Sequence, residues 1–510
     1  MSNELAVRCA ELAHEYRPLL VELLREAVRI PADHVDTVPN CGMSNHEGPR
    51  LEYLKRRIVE IGAVEKPEDV WFDDFGNIIW MVEDTEDTTE NKKVVWYDGH
   101  TDTVAHLRES WLEKTNGGID CFDGLLDKSK VDMEFIKELG YCPPHELWEE
   151  EVLFGRGVAD QLQGVICQIV STKIMLETKH LGSLRGVIVQ SIGTVAEEDN
   201  DGGGPMYILR KDMKKPDTRM RIPDVCVFTE GTGHADHGAL GIYRGQRGRM
   251  QIEVEIIGQS CHGSMPHRGK NPLEWGAKII AEAADRHEKG IDILDHEFLG
   301  KGTRTASWSV IDTPSDCAVP DSFKFRFDRR MTVGETPEFC IEAIESLDTI
   351  KACREAGLEV TISVPRYTEK SWRGVNADND QIYLGWQTPE DHPAITSAME
   401  TYKVAITPYI PEGLCQDESK SPIHIPREPR VDKWTFSTDG VGFPLRTDEI
   451  TIPDSKKWIE VGPFSHCAML GLGGGFEESA HVIGEAVMIP EIVLTASFYA
   501  SYPAFFAKAE

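Results

Sequence analysis

Residues 94–104 read VVWYDGHTDTV, and this stretch limits the possible folds more than any other. Val94, Val95, Trp96 and Tyr97 are β-branched or aromatic, the composition of a buried strand. Asp98, His100 and Asp102 follow at alternate positions. Residues two apart on an extended chain share a face, so three polar groups line up where the strand ends. A closed apolar core has no use for them there, whereas a binding site does. NIIWMV (77–82), RGVIVQSIGTV (185–195) and DVCVFTEG (224–231) are further strand candidates, and GVICQIVSTKIMLET (164–178) has helical spacing. Strands alternating with helices predict an α/β domain on a mostly parallel sheet, where sites gather at the carboxyl ends of strands.

The pattern changes after Arg249. MQIEVEIIG (250–258) and SFKFRFDRRMTV (322–333) alternate strictly, as strands with one wet face do. NPLEWGAKIIAEAADRHEK (271–289) and TPEFCIEAIESL (336–347) read as helices, completing a smaller α+β unit. With 510 residues, two domains are the default. The boundaries drawn are 1–243 for the first part of the larger domain, 244–365 for the smaller, and 366–510 for the remainder. Residues 366–432 are polar and Pro-rich, an enlarged insertion or a set of surface loops. The N-terminal twenty residues read as an amphipathic helix with Asn3 as N-cap, not as a signal peptide.

Lys and Arg number 54 against 86 Asp and Glu, a net charge of −32. Such a surface repels phosphate backbones and anionic lipid, so neither nucleic acid nor membrane is an expected partner. No run of eighteen apolar residues is present, and the twelve cysteines form no C-x-x-C pair. A reduced, cytoplasmic protein is the expectation.

Four more clusters bear on the opening stretch. LFGRGVADQ (153–161) puts Asp160 after a Gly-Arg-Gly turn, TVAEEDN (194–200) places Glu197 and Glu198 at a strand's end, VFTEG offers Glu230, and EESAHVIGE (477–485) offers His481. Histidines and carboxylates at such positions suit a borderline-hard divalent metal. Each piece alone has a bland reading: an H-x-D pair at a surface, solvated acids, an ordinary glycine turn. GLGGGF (471–476) does not match G-x-G-x-x-G and is not read as a nucleotide loop.

In this order the clusters resemble the metal-dependent amidohydrolase and peptidase family of aminoacylase, acetylornithine deacetylase, succinyl-diaminopimelate desuccinylase and carboxypeptidase G. The resemblance covers about residues 20–365 and resumes near 433, and IYRGQRGRM (242–250) looks closer to a bacterial subgroup of peptidases and deacetylases. It implies an α/β catalytic domain interrupted by a smaller dimerisation domain, two divalent ions (Zn, Mn or Co), a small-molecule substrate and a homodimer or higher homo-oligomer. By motif, His100 and Glu230 would bind one ion, Glu198 and His481 the other, and Asp160 would bridge them. Asp102 would accept the far N–H of His100, and Glu197 would be the general base for the attacking water. His262, in GQSCHGSMPHRGKNP (258–272), would reach across a dimer to the oxyanion; its bland reading is a solvated loop histidine. Arg330, ending VPDSFKFRFDRR (319–330), would anchor a substrate carboxylate, or be an ordinary paired arginine.

The chain departs from the family in four places. Gln161 follows Asp160 where many members have Lys or an acid, and Cys317 occupies the place of an asparagine that seats substrate. Segments 105–151 and 366–432 are long. The expected reaction is hydrolysis of an amide C–N bond in an N-acyl amino acid, dipeptide or related amide. Attack on a ureido group or activated aryl amine is the first alternative, and a non-catalytic homologue the second. His234 and His237 could hold a third metal, whereas His267 and His466 read as loop or wall residues.

Overall fold

Lys93–His100 forms the strand its residues favour, and its alternation divides the molecule. Val95 and Tyr97 face one apolar cluster, while Val94 and Trp96 face another. Both faces of the sheet are therefore covered, and burying a residue such as Trp96 is worth on the order of 3–5 kcal/mol against alanine. The computed structural model describes residues 2–32, 46–122, 151–414, 424–444 and 467–509.

The central sheet runs in the order Val70–Phe72, Ile78–Glu83, Val187–Thr194, Lys93–His100, Val225–Phe228, Ala468–Gly471, Ile242–Gln246, Trp386–Gln387, and Val431–Trp434 also pairs with Ile242–Gln246. Its four middle strands, Val187–Thr194 to Ala468–Gly471, are mutually parallel, and antiparallel strands flank them. Helices Ser2–Glu15, Gln163–Glu177, Pro393–Ala405 and Ile489–Phe506 pack together over one face. Gly203–Arg210 lies over the other, contributing Ile208 and Leu209 to that cluster.

The smaller sheet is antiparallel: Thr303–Asp312, Ser322–Met331, Gly248–Ile257 and Glu359–Ser363, with Ile382–Tyr383 also paired to Gly248–Ile257. Every second residue of Gly248–Ile257 and Ser322–Met331 is buried. Helices Pro272–Glu288, Pro337–Glu345 and Asp348–Glu355 cover that apolar face. Asn271 and Thr336 cap the first two with side-chain oxygens, and a proline starts each.

Two local readings need correction. Asn3 is not an N-cap, since the helix already begins at Ser2. The N-terminal segment is two helices, Ser2–Glu15 and Arg17–Val28, because Pro18 offers no N–H to continue the first one's ladder. Within 366–432, the described residues are not only surface loops. Ile382–Tyr383 joins the smaller sheet, Trp386–Gln387 joins the larger, and Pro393–Ala405 packs in the main core. Residues 123–150 of the other long segment lie outside the described residues, as does His466.

Candidate metal centre

Parallel pairing aligns the strand ends. His100 is in register with Thr194, and Asp98 with Phe228, so three chains leave the sheet along one edge. After Thr194, Ala196 turns with a φ of +62° into the short helical turn Glu197–Asn200. The carboxylate of Asp102 accepts the backbone N–H of Glu197 and of Glu198, at 3.2 and 3.1 Å, and so holds that turn by its N-terminus. Gly99 is required by close approach: a Cβ there would lie 2.3 Å from Thr229 Oγ1 and 2.5 Å from Gln161 Oε1.

Asp160 comes from the loop after Gly155-Arg156-Gly157, and its peptide bond to Gln161 is cis. Buried Glu485 positions this loop. It accepts the N–H groups of Gly157, Ala159 and Asp160 at 2.9, 3.0 and 3.1 Å, and pairs with Arg156 at 2.8 Å. The Ala468–Gly471 strand ends beside Val225–Phe228, and the Gly-rich segment beyond it brings His481 to the same edge.

The two oxygens of Asp160 face different histidines. Oδ1 lies 2.8 Å from His100 Nε2, and Oδ2 lies 3.1 Å from His481 Nε2. Glu230 Oε2 is 3.9 Å from His100 Nε2, and Glu198 Oε2 is 3.0 Å from His481 Nε2. His100, Asp160 and Glu230 thus form one ligand-grade triad and Asp160, Glu198 and His481 a second, each with its ligand atoms within 4.8 Å. Glu197 belongs to neither; its carboxylate is 3.9 Å from His100 Nε2.

The electrostatics fit a cation site. Burial, and next the charge of Asp160, pushes Glu198 up to about 7 and Glu230 well above the usual carboxylate range. Burial also pushes Glu197 well up. Burial opposes ionisation of Asp160 too, but its bonds to His100 and His481 outweigh this and hold the carboxyl below its usual range. His481 is pushed up to about 11 by Asp160 and then Glu198. So many acids in one buried space are what divalent cations offset.

Asp102 lies beside His100, though the closest acceptor for His100 Nδ1 is the Asp102 carbonyl oxygen at 3.1 Å, with its carboxylate at 3.4 Å. Arg330 lines the same cavity as Glu197 and Asp160, a space of about 430 Å³, and it donates to Asp328 Oδ1 and Ser437 Oγ at 2.8 and 3.0 Å. Arg249 also lines it, bound to Asp201 and to Asp328. His262 is not brought to this cavity within its own chain. It stands exposed in the smaller domain, its Nδ1 2.8 Å from Ser264 Oγ and its backbone paired with Ala318, next to Cys317. His234 and His237 stack at 4.3 Å, but among the described residues no third ligand triad forms there. His267 is exposed in the smaller domain.

Gln161, the departure noted after Asp160, donates to Glu230 Oε2 at 2.5 Å. Other residues of the site were not singled out from the sequence. Buried Asp439 accepts the Thr194 hydroxyl at 2.6 Å and faces Asp98. Glu47 accepts the Ala196 N–H at 3.1 Å. Glu485 sits inside a motif read only for its histidine.

A mixed α/β sheet with an acid-and-histidine centre at its strand ends, beside a smaller antiparallel sheet, is an arrangement that could hold metal ions for hydrolysis. Residues 244–347 match the peptidase dimerisation domain. The chain is 28% identical to the uncharacterized protein YgeY of Escherichia coli K12 over 97% of its own length and 96% of that protein's. It is 26% identical to succinyl-diaminopimelate desuccinylase of Dechloromonas aromatica, over 37% of this chain and 46% of the enzyme. The fold is that of the dipeptidase Dug1p of Saccharomyces cerevisiae, with a TM-score of 0.62, 12% identity and full coverage of both chains. The matched dimerisation domain and the desuccinylase relatives support an M20-type metal-dependent amidohydrolase or peptidase, a hydrolase acting on C–N bonds. Among the described residues, no helix is long and apolar enough to cross a membrane.

Proposed function

We propose that the chain hydrolyses the amide bond of a small carboxylate-bearing substrate, an N-acyl amino acid, a dipeptide or a related amide. One observation carries this reading: a single cavity is lined by Asp160, Glu198, Glu230 and His481 of the two ligand triads and also by Arg330 and Arg249. His100 and Glu230 would hold one ion and Glu198 and His481 the second, with Asp160 between them; Zn, Mn and Co all suit this donor set. Bound divalent ions acidify water and polarise a carbonyl. Glu197, close to both triads but in neither, takes a proton from the attacking water and hands it to the leaving nitrogen. Burial raises its proton affinity well above that of a free carboxylate. Arg330 offers its guanidinium to the substrate carboxylate.

The smaller domain supports a homodimer. Its edge strand Thr303–Asp312 leaves Trp308, Val310 and Ile311 exposed, an unprotected edge suited to a second copy. In such a dimer the exposed His262 supplies the oxyanion contact from the partner subunit. The larger domain is read as residues 1–243 with 366–510 and the smaller as 244–365, with Ile382–Tyr383 of the larger pairing onto the smaller sheet. A non-peptide C–N bond, ureido or aryl amine, is a second reading. Cys317, beside the His262 strand, favours it, since it replaces a substrate-seating asparagine.

The test is a panel of N-acyl amino acids, dipeptides and ureido compounds, assayed with each metal and with a chelator. Turnover of a carboxylate-bearing amide, abolished by chelation, is expected. Masking that carboxylate as an amide should raise KM at least about tenfold, the loss of a charge-assisted bond. An unchanged KM removes Arg330 from substrate binding, and full activity without metal overturns the mechanism.

A further inference from the structure

We propose that a second pocket, on the helix following the Glu197–Asn200 turn, binds a phosphate-class anion and transmits its occupancy to that turn. This cavity of about 270 Å³ shares no lining residue with the metal centre. One wall is the end of helix Gly203–Arg210 and the turn after it, with Tyr207, Arg210, Lys211 and Lys214; the other is Arg366 with residues 377–380.

The local acids are already engaged. Arg366 holds Asp378 and Asp380 at 2.7 and 3.0 Å, and Lys215 holds Asp74 and Asp212, both at 2.8 Å. Among the described residues, no ion pair forms on Lys211 or Lys214. Burial, and then the charges of Lys211 and Arg210, lowers the proton affinity of Lys214. Tyr207 is stacked on Phe75, and its hydroxyl, which makes no hydrogen bond among the described residues, is open to solvent. Two ammonium groups and a phenolic O–H in one concavity are donors of the kind phosphate oxygens accept. On a chain with a net charge of −32, such a local field is an exception that a specific anion explains. The space admits a phosphate ester of a small molecule as well as free phosphate.

The walls connect to the base. Asn379 exchanges two hydrogen bonds with Asn200, at 3.1 and 3.2 Å, and Tyr383 donates to Asn200 Oδ1 at 2.6 Å. Tyr367 donates to Asp199 at 2.9 Å. An anion drawing the wall at 377–380 toward the lysines therefore pulls on the turn carrying Glu197 and Glu198. The coupling rests on Glu197 acting as base; the site itself does not.

Calorimetric titration of the metal-loaded enzyme with inorganic phosphate at low ionic strength tests the site. Saturable binding is expected, weakened at least about tenfold in a Lys211→Ala/Lys214→Ala double variant and unchanged in Arg330→Ala. Absence of saturable binding, or binding equal in the double variant, overturns the site. Binding lost in Arg330→Ala instead assigns the phosphate to the metal cavity and overturns it too. Phosphate should change kcat of the wild type and leave that of the double variant unaltered. Binding at this pocket with no change in kcat overturns the coupling.

Discussion

Glu197 and Glu198 are adjacent in sequence yet meet different surroundings. Glu198 reaches His481 and accepts the Val104 N–H at 3.1 Å, whereas Glu197 faces His100 without joining a triad. Glu197→Gln keeps the shape and removes the base, so metal content should stay near wild type while kcat falls by about 10²-fold or more. Asp160→Ala removes the only carboxylate common to both triads, and metal content should drop in elemental analysis. Equal metal loss in the two variants would exchange their assigned roles.

Of all the elements, the Thr303–Asp312 strand has the plainest unmet demand. Among the described residues it pairs on one side only, with Ser322–Met331, and it shows Trp308 at 43% and Val310 at 49% exposure. Trp308→Arg places a charge on that edge without disturbing a buried core, since Trp308 is exposed with Arg326 over its ring. Sedimentation should then show monomer in place of dimer. If His262 acts from the partner, activity should fall with dimer content; a fully active monomer would remove His262 from catalysis.

Across the whole molecule, excess acid has a consequence for stability. Burial pushes Glu198, Asp439, Asp73, Glu477 and Glu491 each up to about 7. Between the ordinary carboxyl range and about pH 7, the folded state thus binds more protons than the unfolded one. Stability from these groups is full below about pH 4 and is lost as pH rises through about 7. Chelated protein should therefore melt at lower temperature at pH 8 than at pH 5. A divalent ion should restore the loss at pH 8, because Glu198 is then ionised and paired. A melting temperature that rises with pH in the chelated protein would overturn this account.

Periodicity was enough to read the strands ending at His100 and Thr194, the alternating strands of the smaller domain and the helices capped by Asn271 and Thr336, because each depends on neighbours within a few residues. The acids and histidines of the two triads were legible as motifs at strand ends for the same reason. Which of those ends converge was not legible. Glu485 accepts the backbone N–H groups of Gly157, Ala159 and Asp160 from more than three hundred residues away, and Asp439 meets Thr194 across 245 residues. Nor does local pattern show that Arg249 would turn to Asp201, or that Asn379 would clasp Asn200. Such contacts arise only when the sheet aligns its strand ends and the loops close over them. Burial then decides which charged groups find partners, and burial is a property of the packed chain.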